Sequence, residues 1–447
     1  MSVSAAEQAA QPKPSLTLGD AVAMIVGLIV GAGIFGTPSI VAGAVESEVL
    51  LVSVWVAGGI FSILGALCYA ELATAFPSAG GEYHFLKKAF GDSLAFLYGW
   101  ARMTVIVSGS IAVFAYLFGD YMSRVWNLGA HSSAIWAALV VGTLTIVNYA
   151  GIREGKVVQN IFTVLEVGGL VLIVVAGLLL APEPAPAVVT AAGSGPWYMG
   201  AGVGSAMVFV LFTYGGWNDA AYISAEVRDR ERNMARALLF SIGIVTVLYV
   251  LVNLAYLKGL GYSAMARSDA VAADLLKVVW GSTGEKVISI MIAIAALTSV
   301  NGSMIVGARS NYALGRDWQL LGYLGRWDEV SGSPRNALVV QGVIALGLVA
   351  LGAVFNAGFK GLVEYSLPVF WGFFLLVGVA LFVLRVREPD APRSFRVPGY
   401  PVVPAIFVLM CGYLLYSSLA YHGKHALVGV AVLAIGAVIL LIARRSR

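Results

Sequence analysis

The chain has 447 residues, of which 59% are hydrophobic and 12% are charged, with a formal net charge of +4 and a mean hydropathy of +0.87. Soluble domains carry about 25% charged residues. This composition excludes a soluble globular protein and predicts a polytopic membrane protein.

Twelve apolar segments are long enough to cross a bilayer, which takes roughly 20 residues. Predicted spans 1 to 6 lie near 20–42, 49–76, 94–125, 134–150, 157–181 and 198–226, and spans 7 to 12 near 236–260, 284–314, 337–356, 362–385, 401–421 and 425–443. The alternating pattern of a membrane β-barrel is absent from these segments. We therefore expect an all-α fold, with a polar tail at 1–19 that lacks a signal-peptide core and a basic tail at 444–447.

The distribution of basic residues predicts the orientation of these spans. With both termini in the cytoplasm, 20 of the 28 Lys and Arg residues lie on the cytoplasmic side, seven lie on the outer side, and Arg102 lies in or near span 3. Cytoplasmic loops are enriched in Lys and Arg. We therefore expect a multi-pass protein of the plasma (inner) membrane with cytoplasmic termini, and the basic residues do not indicate nucleic-acid binding.

The stretch "GLIVGAGIFGTPSI" at 27–40 contains a literal G-x-G-x-x-G sequence. A dinucleotide-binding site requires this motif between a strand and a helix of a soluble unit, whereas here it lies inside span 1. Two interpretations remain. Gly27 and Gly31 form a G-x-x-x-G pattern that allows close helix packing, or the glycines and Pro38 interrupt the helix.

A matching interruption in span 6 favours the second interpretation. Gly215 and Gly216 lie near the middle of "GSAMVFVLFTYGGWNDAAYISAEVRD", the position expected if spans 1–5 and 6–10 are inverted repeats. Unwound backbone at the bilayer midplane is tolerated where it lines a cavity or contacts a ligand. Free amides and the positive end of a half-helix suit a carboxylate, and freed carbonyls suit an ammonium group. The pattern therefore predicts a zwitterionic ligand, an amino acid.

Four segments resemble the amino acid–polyamine–organocation (APC) superfamily, particularly its L-type and related bacterial amino-acid permeases. They are "GLIVGAGIFGTP", "YAELATAFPSAGGEYHF", "FTYGGWND" and "VNGSMIVGARSNYALGRD". The resemblance covers nearly the whole chain and implies a LeuT-type fold that works by alternating access. Its twelve helices would form inverted repeats at 20–181 and 198–385, with helices 1 and 6 discontinuous, followed by two further helices at 401–443.

The resemblance also implies which residues bind the substrate. The amides of Gly31, Ala32 and Gly33 would bind the carboxylate, and the carbonyls of Ile29, Phe212 and Gly215 would bind the amine. Phe212 would also act as a gate, and Asn301 would contact the substrate side chain. Many relatives carry Ser where this chain has Ala32, so one hydroxyl contact is missing. Trp217 either lines the side-chain pocket or packs within the bundle, and Tyr214 shows the same ambiguity.

Glu166 in span 5 departs from the family pattern, because many relatives carry a lysine there that replaces a sodium ion. Burial in a membrane disfavours a charged carboxylate. Glu166 could therefore carry a coupled proton and donate a hydrogen bond to the first interruption. Alternatively it stays ionised and pairs with a cationic substrate, or it lies at the membrane interface without such a role.

Three further groups of ionisable residues lie at or near span ends. Asp219 either caps the half-helix that follows the second interruption or favours a cationic substrate. Glu71 and Glu82 are either hydrated or paired with basic residues at a gate. For Arg102 we expect snorkelling from the cytoplasmic end of span 3.

Taken together, these features predict a secondary active transporter of L-amino acids, mainly neutral ones, by proton symport or amino-acid exchange. The alternative is transport of cationic amino acids or polyamines, with Glu166 and Asp219 matching the substrate charge. An enzyme would need clustered catalytic residues, a channel would need a ring of filter residues, and an ATP-driven pump would need a P-loop. None of these patterns is present in the sequence.

We expect no cofactor other than a possible coupled proton, and no metal site, because "HGKH" at 422–425 reads as a solvated loop. The expected partners are an amino-acid substrate and membrane lipid. The animal L-type relatives are disulfide-linked to a glycoprotein between helices 3 and 4, but the matching loop here, 123–133, has no cysteine. No disulfide-linked heavy chain is therefore expected.

Overall fold

The computed structural model describes residues 16–78, 81–151, 156–182, 201–220, 227–328, 333–421 and 423–445. Its helices are α1 (Leu18–Ile29), α2 (Gly33–Ala44), α3 (Glu48–Ala75), α4 (Gly81–Phe90), α5 (Asp92–Ala101), α6 (Val107–Val125), α7 (Ser132–Tyr149), α8 (Lys156–Val175), α9 (Ala201–Thr213), α10 (Arg230–Leu260), α11 (Tyr262–Ala266), α12 (Val271–Asp317), α13 (Arg335–Val354), α14 (Gly358–Arg387), α15 (Val402–Tyr421) and α16 (Gly423–Arg445). The π-helical turn Arg102–Ile106 joins α5 to α6, and the π-helical turn Ala176–Leu180 extends α8. These ranges contain no β-strand, and two isolated β-bridges are present.

The helices correspond to the predicted spans. Span 1 comprises α1 and α2, and span 3 comprises α5 and α6. Each other span comprises one helix: span 2 is α3, span 4 is α7, span 5 is α8, span 6 is α9, span 7 is α10 and span 8 is α12. Spans 9 to 12 are α13 to α16, in that order. Within the described residues, nine helices are long and apolar enough to cross a membrane, and α1 with α2 forms a tenth, bent span. The predicted all-α polytopic fold is confirmed. Span 5 contributes the shorter apolar stretch Leu165–Leu180, and both ends of predicted span 6 lie outside the described residues.

Local sequence sets the start of the first two spans. Thr17 and Asp20 form a capping box at α1, in which the Asp20 amide donates to Thr17 Oγ1 at 3.3 Å and the Thr17 amide donates to Asp20 Oδ2 at 3.0 Å. Ser47 caps α3 by accepting the Leu50 amide at 3.2 Å. These side chains satisfy amides that have no partner within their own helix.

The spans pack in two groups. Spans 1, 2, 6 and 7 contact one another extensively, and so do spans 3, 4, 8 and 9, whereas contacts between the two groups are fewer. Span 5 packs on spans 7 and 8, and span 10 packs on spans 3 and 11. We call the two sets the 1-2-6-7 group and the 3-4-8-9 group.

Contacts between distant segments show which helix ends share a face of the protein. Four pairs join such ends: Leu16 with Val227, Tyr83 with Asp317, Tyr149 with Arg335, and Ser93 with Arg444. All of these residues lie on the side where α1 begins, which we call the Leu18 side. The opposite side, where α2 ends, is the Ala44 side.

A buried ion cluster closes the Leu18 end of span 2. Glu71 is 1% exposed and accepts two hydrogen bonds from Arg385, at 2.8 and 2.5 Å, and one from the Val397 amide at 2.7 Å. Arg393 lies 3.5 Å away. A buried carboxylate is tolerated when its charge is compensated in this way. The cluster connects span 2 to the end of span 10 and to the segment that follows span 10. Of the two alternatives for Glu71, hydration or pairing with basic residues, the structure shows pairing.

Candidate functional site

The glycine cluster of span 1 is a helix break. The first half, α1, ends at Ile29, the second half, α2, begins at Gly33, and the two are bent by 52°. The Gly31 amide donates to the Ile29 carbonyl at 2.8 Å in a tight turn. A Cβ placed on Gly27 would have nothing within 4 Å, so close packing does not explain this glycine. The broken-helix interpretation is the correct one.

The second break contacts the first. In span 6, α9 ends at Thr213, and Gly216 adopts a φ of +106°, in the left-handed region. A Cβ on Gly216 would stand 2.2 Å from the Leu28 carbonyl oxygen. Both the backbone angle and the contact therefore require glycine. The two breaks predicted from the sequence lie against each other.

Tyr249 in span 7 joins the two breaks, a role that the sequence motifs did not indicate. Its hydroxyl lies 3.0 Å from the Ile29 carbonyl oxygen and 3.4 Å from that of Thr213. Thr213 Oγ1 lies 2.8 Å from Thr37 Oγ1 of α2. The signal available in the sequence was a tyrosine in the middle of an apolar span, where a buried hydroxyl needs a polar partner.

The first amides of α2 are the available donors at the first break. For the amides of Ala32 and Gly33, no hydrogen-bond partner is present among the described residues. They point from the positive end of a helix dipole, an arrangement that favours an anion. Gly31 differs, because its amide is already bonded to Ile29.

Two of the three carbonyls predicted to bind an amine, those of Ile29 and Phe212, accept hydrogen bonds within the protein. Ile29 accepts from Gly31 and from Tyr249, and Phe212 accepts from the Gly215 amide at 3.0 Å. The substrate-binding roles of Ile29, Gly31, Ala32, Gly33, Phe212 and Gly215 stay predictions.

Span 8 presents Ser299, not Asn301, to the first break. Ser299 Oγ lies 3.9 Å from the position of a Cβ on Gly31. Asn301 is 5% exposed and its Oδ1 accepts from Asn148 of span 4 at 2.7 Å. Two residues apart on a helix, the side chains point in nearly opposite directions. The structure thus places Asn301 on the face away from the break, and the predicted substrate contact is untested.

The aromatic residues of the second break lie in the bundle. The Trp217 ring packs on Tyr69, Phe374 and Phe407, with centroids 5.1, 5.7 and 6.5 Å away. Its packing role is thus visible, whereas a role in a substrate pocket stays a prediction. The Phe212 ring is half-buried and lies 6.4 Å from Phe370 of span 10.

Glu166 is buried inside the protein, at 7% exposure. Among the described residues no hydrogen bond or ion pair to its carboxyl group is present, and the carboxyl group is within range of an electrostatic interaction with Tyr249. The three roles considered for Glu166 stay predictions, with a side chain that is buried within the protein.

Asp219 and Arg102 lie together on the Leu18 side of the second break. The Asp219 amide donates to the Gly216 carbonyl at 3.0 Å, and its Oδ1 lies 3.9 Å from Arg102. The half-helix that Asp219 would cap lies outside the described residues. The Arg102 side chain is 8% exposed and pairs with Glu82 at 3.7 Å, so the snorkelling expectation is wrong.

A cavity of about 860 Å³ lies on the Ala44 side of the breaks. Its lining includes Ser39, Tyr116, Asp120 and Lys360, and it reaches Gly36 of α2. There a Cβ would stand 3.0 Å from Leu117 Cδ1 and 3.0 Å from Phe359 Cζ. Gly36 and these two apolar side chains all line the cavity, and we call the place where they meet the constriction.

Replacing Gly36 with alanine should narrow this constriction. The added methyl group contacts the ends of two flexible side chains, which must shift. We expect this shift to have a free-energy cost of about 1 kcal/mol and the initial uptake rate to be roughly fivefold slower. Gly142→Ala is the control, because a Cβ there has nothing within 4 Å. Equal uptake rates for both variants would show that Gly36 does not set the constriction.

Among the described residues, no group of three or more His, Cys, Asp or Glu residues is placed to hold a metal ion. Of the "HGKH" motif, His422 lies outside the described residues, and His425 Nδ1 lies 2.9 Å from Glu364 Oε2.

Comparisons with known proteins agree with this geometry. A family model described as amino acid permease matches residues 16–443. The b(0,+)-type amino acid transporter 1 of Rattus norvegicus is 30% identical over 399 residues, covering 88% of this chain and 80% of the relative. The human protein of the same name is 29% identical over 417 residues, covering 91% and 84%. The large neutral amino acids transporter small subunit 2 of Mus musculus is 29% identical over 439 residues, covering 95% and 80%.

The fold and the paired breaks define a polytopic helical membrane transport protein. The chain belongs to the amino acid permease family of the APC superfamily. Its relatives are named as transporters and not as enzymes, in agreement with the sequence analysis.

Proposed function

We propose that this protein is a secondary active transporter of neutral L-amino acids that works by alternating access. The observation that carries this proposal is the pair of contacting breaks, with the amides of Ala32 and Gly33 at the positive end of α2. This arrangement suits the carboxylate of an amino acid. One of its relatives is named for large neutral amino acids, which supports a neutral side chain.

The proposed architecture is the LeuT type, with twelve spans and inverted repeats of spans 1–5 and 6–10. Its support is that both breaks occupy the same position in their repeats and that the spans divide into a 1-2-6-7 group and a 3-4-8-9 group. We place the Leu18 side in the cytoplasm of a plasma-membrane protein, since most Lys and Arg residues lie there.

The energy source is proposed to be proton symport or amino-acid exchange, with Glu166 as the group that takes up the coupled proton. Transport of cationic amino acids or polyamines is the second candidate. It is favoured by Glu166, whose carboxyl group has no ion-pair partner among the described residues. Asp219 gives it less support, because Arg102 lies beside that carboxylate.

The protein is proposed to function without a disulfide-linked heavy chain. One relative is named a small subunit. The two cysteines of this chain, Cys68 and Cys411, are free and buried. Neither thiol is placed to form a disulfide with another protein.

Uptake of radiolabelled compounds into proteoliposomes tests the proposal. Neutral, cationic and acidic amino acids and diamines are each supplied with an inward proton gradient, and separately with unlabelled substrate inside. We expect neutral amino acids to accumulate with the gradient or to exchange. Selective uptake of diamines or lysine would establish the second candidate, and no uptake of any amino acid would refute both.

A further inference from the structure

The Leu18 side of the breaks is closed by a polar cluster centred on Glu82 of α4. This carboxylate is 3% exposed. Its Oε1 accepts from the Tyr69 hydroxyl at 2.6 Å and from Asn218 Nδ2 at 3.2 Å. Its Oε2 accepts from the Tyr98 hydroxyl and lies 3.7 Å from Arg102 NH1. Several donors thus compensate one buried negative charge.

These partners come from both groups of spans. Tyr69 in span 2 and Asn218 after the second break belong to the 1-2-6-7 group, whereas Tyr98 and Arg102 in span 3 belong to the 3-4-8-9 group. Glu82 is therefore a point at which the two groups are held together. Alternating access in repeat-built transporters is largely the rocking of one such group against the other.

The helix that carries Glu82 is anchored to the 3-4-8-9 group. The Tyr83 hydroxyl donates to Asp317 at the end of span 8 at 2.8 Å, and Lys87 Nζ lies 3.3 Å from the same carboxylate. Arg102 Nε donates to Ser310 of span 8 at 3.1 Å. These anchors imply that Glu82 would stay with spans 3 and 8 if the two groups separated, and that its bonds to Tyr69 and Asn218 would then break.

Asn218 connects this cluster to the substrate site. Its Oδ1 accepts the Gly216 amide at 3.1 Å, while its Nδ2 donates to Glu82. Gly216 lies against the Leu28 carbonyl at the first break. A ligand that rearranges the turn at Gly216 therefore shifts the side chain that holds Glu82.

We propose that Glu82, held by Arg102, is a latch that keeps the two groups closed on the Leu18 side, and that loss of its bonds to Tyr69 and Asn218 opens the substrate site to that side. Glu82 and Arg102 act here as positioning residues. The proposal rests on the alternating-access function proposed above. The apolar constriction at Gly36 lies on the other side of the breaks.

The test measures access to the first break from each side of the membrane. A Ser299→Cys reporter is placed in a Cys68→Ala, Cys411→Ala background and reconstituted in vesicles of known orientation. A membrane-impermeant thiol reagent is then applied to one side at a time. Because this readout needs no amino-acid flux, it is independent of whether the protein transports the compounds tested.

Glu82→Gln keeps the shape of the side chain but removes its charge, and we expect labelling from the Leu18 side to rise about tenfold, the effect of losing a charged hydrogen bond. Tyr69→Phe removes one hydroxyl, keeps the ring packing and carries little folding risk, and about a threefold rise is expected. Tyr365→Phe is the matched control, because it loses a buried hydroxyl bond to the Thr104 carbonyl and should not change labelling.

Two results would overturn the latch. One is unchanged labelling from the Leu18 side in both Glu82→Gln and Tyr69→Phe. The other is an equal rise in Tyr365→Phe, which would indicate general loosening of the bundle. If amino-acid uptake persists in either case, the proposed function stands without this latch.

Discussion

Replacement of Gly216 by alanine is expected to lower the rate of amino-acid uptake about tenfold or more. Two effects each raise the free energy of the Gly216→Ala variant. A residue with a side chain is strained by about 1–3 kcal/mol at the φ of +106° that Gly216 adopts. The new Cβ would also stand 2.2 Å from the Leu28 carbonyl oxygen, and since this neighbour is backbone, the two breaks must move apart.

The matched control for this variant is Gly27→Ala, one residue before Leu28 in the same region. Nothing lies within 4 Å of a Cβ there, and alanine stabilises a helix interior by about 0.5–1 kcal/mol relative to glycine. Both variants are compared in proteoliposomes at equal protein density, with the melting temperature in detergent to separate misfolding from slow transport. Wild-type uptake by Gly216→Ala would contradict the view that contact between the breaks is required.

The breaks could be predicted because their signal is local. Glycines and Pro38 inside an apolar span weaken a helix wherever it lies, and the repeat rule supplied the second position at Gly215 and Gly216. The polytopic fold followed from segment length in the same way. No knowledge of how the helices pack was needed for either result.

The rotation of an apolar span could not be predicted in this way. Span 8 is apolar on most of its surface, so its sequence does not fix which face meets the break. The resemblance implies a substrate contact for Asn301, whereas packing places Asn301 against Asn148 of span 4 and Ser299 beside the first break. The substrate contact of Asn301 stays a prediction.

Long-range pairing explains why the snorkelling prediction for Arg102 was wrong. Arg102 seemed exposed because a lone charge in a span is expected to reach for water. Its partner, Glu82, lies in a separate helix, and Ser310 and Asp219 come from spans 8 and 6. A buried charge of this kind becomes intelligible only when its compensating groups are known.

The second large effect is expected for Glu166→Gln, which should abolish accumulation driven by a proton gradient while leaving amino-acid exchange near the wild-type rate. Glutamine keeps the size and hydrogen-bonding capacity of the side chain but cannot take up or release a proton. The position suits this role, because Glu166 is 7% exposed and is within range of an electrostatic interaction with Tyr249, whose hydroxyl donates to the Ile29 carbonyl at 3.0 Å. A change of charge at Glu166 should therefore alter the electrostatic environment of Tyr249, which contacts the first break.

The measurement compares gradient-driven accumulation with exchange for Glu166→Gln and for Glu364→Gln, another buried carboxyl group in a span, which pairs with His425 at 2.9 Å. Undiminished accumulation in Glu166→Gln would contradict proton coupling through this residue. If Glu166 instead matches the substrate charge, the variant should raise the KM for lysine or diamines and leave that for neutral amino acids unchanged. Because the two roles act on different quantities, one pair of variants distinguishes a coupling group from a specificity group.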